Sequence, residues 1–187
     1  LQVGALRAWK RCEQLELPRG VVVTGLDREN ASFDKTVEAI QGAWGPRCVP
    51  VTIPGGASGV MVDVLSGAPP PELADQVETC RMSLMEAVAE SDDALLEKYL
   101  GGEPLTPEEI SRGMAKAVRD GKLIPIFACC PLKDAGVDNL LEGLARMFPS
   151  PLDRPMRGAD GKPIDPTGPF SAFVWRTVND PFIGQLT

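Results

Sequence analysis

An aspartate shortly after a run of three valines is the first feature of this sequence that could do chemistry. The valines occupy positions 21–23, and Asp27 follows a threonine, a glycine and a leucine. Continuous β-branched residues predict a strand that is buried on both faces, as in a parallel sheet. Ligands of such sheets lie at the carboxyl ends of the strands. Asp27 is therefore a candidate ligand-binding residue, and the alternative that it only braces a turn stays open.

A second apolar run, LIPIFACC at 123–130, is followed by a loop and then an amphipathic helix. This strand-loop-helix order repeats the order around Asp27. If both strands belong to one sheet, the loop 130–136 is where a ligand held by Asp27 would be contacted. The helix after it is expected to turn these side chains inward: Val137, Leu140, Leu141, Leu144 and Met147.

Composition excludes several classes of function. The 187 residues carry a net charge of −7 and contain no basic stripe, which argues against nucleic-acid binding by bulk electrostatics. Histidine is absent, so no Ser-His or Cys-His nucleophile pair can form. Five cysteines without a C-x-x-C pair disfavour a zinc site or a disulfide framework. No apolar run approaches 18 residues, so we expect no membrane partner and a cytoplasmic location.

The elements that must position the two loops follow from periodicity and capping. We predict a helix at 3–16, a strand at 20–24, and a helix that begins after Ser32 and ends at 44, followed by short strands within 47–66. This order is that of an α/β unit.

A long acidic helix is predicted at 71–91. Its charged face favours either simple solvation or docking of a basic protein partner. A shorter helix is expected at 92–100, and TPEE at 106–109 has the form of a capping box. Six prolines in 149–169 indicate a linker, and the alternation in 170–178 predicts a strand that opens a further, β-rich domain.

Several segments, in this order, resemble elongation factor G and cover nearly the whole chain. They are VVVTGLDRENASFD, EKYLGGEPLTPEEI, KDAGVDNLLEGL, FPSPLDRP and PFSAFVWRTVNDPFIGQLT. The resemblance implies a translation factor that binds and hydrolyses GTP and drives ribosomal translocation. Its partner would be the ribosome, and its cofactor would be GTP or GDP with Mg²⁺ in the full-length protein.

The resemblance also implies an organisation. Residues 1–45 and 118–150 would form the second half of a P-loop GTPase-type domain with a parallel sheet. Residues 46–117 would be an inserted α+β subdomain, and residues 151–187 would hold the linker and the first strands of a β-barrel domain. The expected fold class is thus α/β, a partial GTPase-type sheet with an insert.

The phosphate-binding motif of such GTPases, G-x-x-x-x-G-K-[S/T], does not occur in this sequence. The D-x-x-G segment that follows the γ-phosphate in this family would lie upstream of Leu1. We therefore assign no catalytic residue and no metal ligand here, and expect that this chain alone neither hydrolyses GTP nor holds a nucleotide tightly.

In elongation factor G the first guanine-binding motif is N-K-x-D. The resemblance places Asp27 at its aspartate, Thr24 at its asparagine and Gly25 at its lysine. An ionised carboxylate only accepts hydrogen bonds, which suits the two adjacent donors of guanine. Thr24 is too short to span two loops as asparagine does, and Gly25 lacks the aliphatic stem that would cover the base and ribose.

The second motif is S-A-x, and counting along the family pattern places it at Cys130, Pro131 and Leu132. The alanine normally donates its backbone N–H to the guanine carbonyl. Proline has no N–H, so one donor is lost. Three alternatives stay open: a diverged factor that still binds GTP, a nucleotide-independent ribosome- or protein-binding module, and a ribosome-protection-type resistance factor.

Overall fold

We analysed a computed structural model of the chain. It describes residues 1–55, 60–66, 69–153, 157–158, 160–165, 167–170, 172, 174 and 176–186. The chain divides into two compact units, Leu1–Ser150 and Pro151–Thr187.

The first unit is an α/β structure built on a three-stranded parallel sheet. Its strands are β1 (Val21–Val23), β2 (Cys48–Pro50) and β5 (Ile124–Ala128), in the spatial order β1-β5-β2. Between β2 and β5 in sequence, β3 (Thr52–Pro54) and β4 (Met61–Asp63) pair antiparallel. All five residues of β5 are buried, as expected for the central strand of a sheet covered on both faces. The α/β class predicted from the sequence is confirmed.

Six α-helices surround this sheet within the described part of the first unit. They are α1 (Val3–Gln14), α2 (Phe33–Trp44), α3 (Ala74–Ala89), α4 (Asp93–Leu100), α5 (Pro107–Arg119) and α6 (Val137–Met147). Each agrees with a helix expected from the sequence to within a few residues. The start of α2 at a Ser32 cap is confirmed, since the Ser32 hydroxyl accepts the N–H of Lys35 at 3.3 Å.

Two tryptophans join α1 to α2. The rings of Trp9 and Trp44 stack with centroids 4.1 Å apart and an interplanar angle of 3°. The guanidinium carbon of Arg19 lies 4.5 Å from the Trp9 ring centroid. Glu13 pairs with both Arg19 (3.3 Å) and Arg47 (3.5 Å). These contacts hold α1 against the segments that lead into β1 and β2.

The capping box predicted at 106–109 is present. The Thr106 hydroxyl accepts the N–H of Glu109 at 3.2 Å, and the Glu109 carboxylate accepts the N–H of Thr106 at 2.7 Å. Lys98 of α4 donates to the same carboxylate at 2.8 Å. The box therefore stabilises the start of α5 and also ties it to α4.

Acid is expected to weaken this cap. The ammonium of Lys98, and then the N–H of Thr106, hold the pKa of Glu109 below its ordinary value. A carboxyl group with a lower pKa in the folded state stabilises the fold above its unfolded pKa, about 4.3 for glutamate, and loses that effect as the pH falls through the folded pKa. In urea unfolding from pH 7 down to pH 3, Glu109→Gln should be less stable than the unaltered protein at pH 7. The two should converge in acid, and a constant difference would contradict this.

The structure corrects the predicted burial of α6. Leu141 and Leu144 were expected to point inward, but they are 58% and 41% exposed, whereas Gly143 and Met147 are buried. A Cβ at Gly143 would overlap the ring of the buried Phe127. The helix therefore approaches the sheet through its smallest residue, and this orientation leaves the two leucines outside.

The predicted boundary of the insert at 46 also differs from the structure. Residues 46–117 were assigned to one inserted subdomain, yet Cys48–Pro50 pair in parallel with β5 in the main sheet, with Cys48 opposite Ile124. All three residues of this strand are buried, as expected for the interior of the sheet. Residues 56–59 of the segment 47–66, in which short strands were predicted, lie outside the described residues.

The second unit contains one antiparallel hairpin, β6 (Val178–Asp180) with β7 (Gly184–Leu186), among its described residues. The Asp180 carboxylate accepts the N–H groups of Phe182 and Ile183 at 2.8 and 2.9 Å, which closes the turn. The strand predicted at 170–178 begins only at Val178 among the residues described there, and positions 171, 173 and 175 of that prediction lie outside the described residues.

Candidate functional site

The candidate site lies where β1 and β5 end side by side. The two strands are parallel, with Val21 opposite Ile126 and Val23 opposite Ala128. The N–H of Cys129 donates to the carbonyl of Val23 at 3.0 Å, which extends the pairing by one residue. Residues 24–28, the Asp27 loop, and residues 129–136, the Cys130 loop, therefore leave neighbouring strands at the same edge of one sheet.

The Asp27 loop is a tight turn. The N–H of Arg28 donates to the carbonyl of Gly25 at 3.2 Å. Gly25 has φ of +73°, a backbone conformation that glycine adopts without steric cost. Thr24 is exposed, and among the described residues it makes no hydrogen bond to the Cys130 loop. The turn places Asp27 at the surface with an exposed carboxylate.

The Cys130 loop is closed by its own backbone. Cys130 and Ala135 exchange two hydrogen bonds, of 2.8 and 3.2 Å, and the N–H of Lys133 donates to the carbonyl of Cys130 at 3.0 Å. Pro131 opens a short 3-10 turn, Pro131–Lys133, and Leu132 is 90% exposed. The backbone of Cys130 is thus held by hydrogen bonds within its own loop, and its side chain is buried.

The surroundings of Asp27 favour its charged form. The backbone N–H of Asp27 itself, and then the thiol of Cys130, stabilise the carboxylate and hold the pKa of Asp27 below its ordinary value. The positive charges of Lys133 and Arg28 act in the same direction. Asp27 is therefore ionised at neutral pH and offers only acceptors to a ligand. Of the other five residues predicted for the site, Cys130 is the one whose side chain affects the pKa of Asp27.

Two residues that the sequence did not single out position this edge. The buried hydroxyl of Thr52 accepts the N–H of Ala128 at 2.8 Å and donates to its carbonyl at 3.3 Å. Gly136 has φ of +76°, and a Cβ there would lie 2.7 Å from the Ala128 carbonyl oxygen. Both hold the end of β5, from which the Cys130 loop departs. The signal for Thr52 was a hydroxyl inside an otherwise apolar strand segment, VTI at 51–53.

A groove of about 370 Å³ adjoins the Asp27 loop but is a separate feature. Its lining comes from the start of α2 and from segments near it: Leu26, Ala31, Ser32, Phe33, Asp34, Pro54, Leu73 and Gln76. None of the six predicted residues lines it. The groove therefore lies beyond the predicted site.

Metal ligation and membrane insertion find no support in the part of the chain that the structure describes. Within the described ranges, no group of three or more His, Cys, Asp or Glu side chains is placed to hold a metal ion. Among the same residues, none of the helices has the length and apolar character needed to cross a membrane.

The chain was compared with known proteins. No family model matches it. It is similar to a crystal structure from Thermus thermophilus, of the protein designated ttk003000868, at 34% sequence identity and a TM-score of 0.79. The similarity covers 99% of this chain and 29% of that one. The chain thus spans less than a third of the length of the protein it matches.

Proposed function

We propose that this chain is the guanine-binding part of an elongation factor G-like translation factor. Such a protein would bind GTP and GDP with Mg²⁺ through its full length and would act on the ribosome in the cytoplasm. One observation carries the proposal: the exposed carboxylate of Asp27 and the Cys130 loop follow β1 and its parallel neighbour β5 at the edge of the sheet where both strands end.

This arrangement suits guanine because of the hydrogen bonds it can make. Guanine presents a ring N–H and an exocyclic amine side by side, and a carboxylate accepts both. Adenine presents no such pair of donors. A site built for two donors rejects a base that lacks them, since the carboxylate would lose its partners. Asp27 is therefore the residue that would select the base.

Two residues that differ from the guanine-binding motifs of elongation factor G weaken the proposed pocket. Pro131 offers no N–H to the guanine carbonyl, which costs on the order of 1–3 kcal/mol if that oxygen stays buried. Gly25 supplies no aliphatic stem. Affinity would then depend largely on phosphate and Mg²⁺ contacts, which require a phosphate-binding loop that this sequence does not contain.

A nucleotide titration tests the proposal. In the full-length protein, GDP and GTP should bind at least tenfold more tightly than ADP and ATP, which corresponds to about 1.4 kcal/mol. Isothermal titration calorimetry measures both pairs under one condition. A guanine preference below tenfold would contradict the proposal and would favour a nucleotide-independent ribosome- or protein-binding module, the candidate that the proline at position 131 supports.

Other partners belong to the same proposal. The acidic side chains of α3 and of the residues on either side of it are exposed: Glu72, Asp75, Glu78, Glu86 and Glu90. A basic protein surface would complement them.

A ribosome-protection-type factor would share this architecture, and its distinguishing loops would lie in domains that this chain does not contain.

A further inference from the structure

Arg28 lies in the same turn as Asp27, and its side chain folds back over the glycine that begins the turn. A Cβ at Gly25 would lie 3.4 Å from Nε, 3.5 Å from Cδ and 3.8 Å from Cζ of Arg28. These are ordinary van der Waals distances. The guanidinium and its last methylene therefore cover the space beside Gly25 that a side chain at that position would otherwise enter.

This placement matters because the N-K-x-D motif of elongation factor G has a lysine at the position of Gly25, and the aliphatic stem of that lysine covers the base. In this chain the glycine leaves that face of the candidate pocket open, and Arg28 is the side chain beside it. The backbone supports the arrangement, since the hydrogen bond from the Arg28 N–H to the Gly25 carbonyl (3.2 Å) brings the two residues together.

The chemistry of arginine suits a flat ligand. Its guanidinium is planar, delocalised and weakly hydrated, and it stacks on aromatic faces. Bases stack on arginine planes in single-stranded nucleic-acid recognition as well. Arg28 is exposed, so its plane can turn toward a ligand without breaking a buried contact. A compact lysine ammonium would not present such a plane.

We propose that Arg28 stacks on the face of the nucleobase whose edge Asp27 holds, and so replaces the missing stem at Gly25. The inference rests on the proposed function, because it requires a purine in this pocket. It assigns Arg28 as a base-positioning residue, distinct from a surface charge that attracts phosphates.

Two substitutions in the full-length protein separate stacking from charge. Arg28→Ala should weaken GDP binding roughly tenfold, about 1.4 kcal/mol, because the cation–π contact with the base is lost. Arg28→Lys keeps the charge but removes the plane, so it should lose most of the same affinity. The control is Arg7→Ala. Arg7 is an exposed arginine on α1, so its replacement changes the charge by the same amount and should leave GDP affinity unchanged.

The readout is GDP affinity by calorimetry at two salt concentrations, with urea unfolding to verify that each variant is folded. Loss of affinity in both Arg28 variants, at both salt concentrations, supports stacking. Retention of affinity by Arg28→Lys, or a loss confined to low salt, would overturn it in favour of a charge effect. If Arg28→Ala keeps full affinity while guanine is still preferred over adenine, the inference alone fails. If the unaltered protein shows no guanine preference, the proposed function fails and this inference with it.

Discussion

Replacement of Asp27 by asparagine is expected to convert a preference for guanine nucleotides into a preference for xanthine nucleotides. Guanine offers two donors, and an amide can accept only one of them while its NH₂ opposes the other. GDP affinity should fall on the order of 100-fold, about 2.7 kcal/mol. Xanthine replaces the exocyclic amine with a carbonyl, which the amide NH₂ can bind. Competition of GDP and XDP for the full-length protein measures the switch.

The control for this experiment is Asp134→Asn. Asp134 is exposed in the Cys130 loop and has φ of +51°, a conformation that asparagine also adopts readily. The substitution Asp134→Asn removes the same charge from the neighbouring loop but leaves the proposed base-binding carboxylate of Asp27 unchanged, so GDP should remain preferred. Equal losses in Asp27→Asn and Asp134→Asn would mean that the nearby charge matters and the hydrogen-bond pattern does not, which would contradict the role given to Asp27.

The largest effect on stability is expected from Gly136→Ala. A Cβ at this position would lie 2.7 Å from the carbonyl oxygen of Ala128 and 2.7 Å from Cγ of Met61. The first of these is backbone at the end of β5 and cannot move freely. Steric overlap adds about 1–3 kcal/mol to the cost of a positive φ, about 1–2 kcal/mol for a residue with a side chain. Urea unfolding should show a loss of several kcal/mol, near the sum of these two terms.

Gly102→Ala is the matched control for Gly136→Ala. Gly102 has φ of +75°, almost the same as the +76° of Gly136, but a Cβ there would meet no atom within 4 Å. Gly102→Ala should therefore lose only the free energy that a positive φ costs a residue with a side chain, about 1–2 kcal/mol. The difference between the two variants measures the contacts of position 136 with the end of β5 and with Met61. If the two variants lose the same free energy of unfolding, Gly136 does not position the Cys130 loop in the way described.

Much of the helical structure could be predicted from the sequence because its signals are local. The caps at Ser32 and Thr106 depend on residues three positions apart, whose hydrogen bonds form within one turn of chain. The valine run that became β1 was recognisable for a similar reason, since β-branched residues favour extended backbone. Asp27 could be singled out because it follows such a run.

Tertiary contacts decided what periodicity could not. The apolar pattern of α6 allowed Leu141 and Leu144 to point inward, but the close fit of Gly143 against Phe127 set a different face toward the sheet. Likewise, Cys48–Pro50 joined the main sheet because β5 offered a parallel edge in register, a partner far away in sequence. Packing of distant residues, and not local propensity, made both choices.

The features of the candidate site also fall into two groups, those evident from residue types and those that depend on tertiary contacts. The residue types alone show that Asp27 follows a predicted strand, that position 131 has no N–H, and that position 25 carries no side chain. Tertiary contacts were needed to show that Asp27 and Cys130 follow neighbouring parallel strands and that Thr52 holds the end of β5. Local composition fixes which groups each loop can offer, whereas the pairing of strands that are remote in sequence determines which of those groups meet.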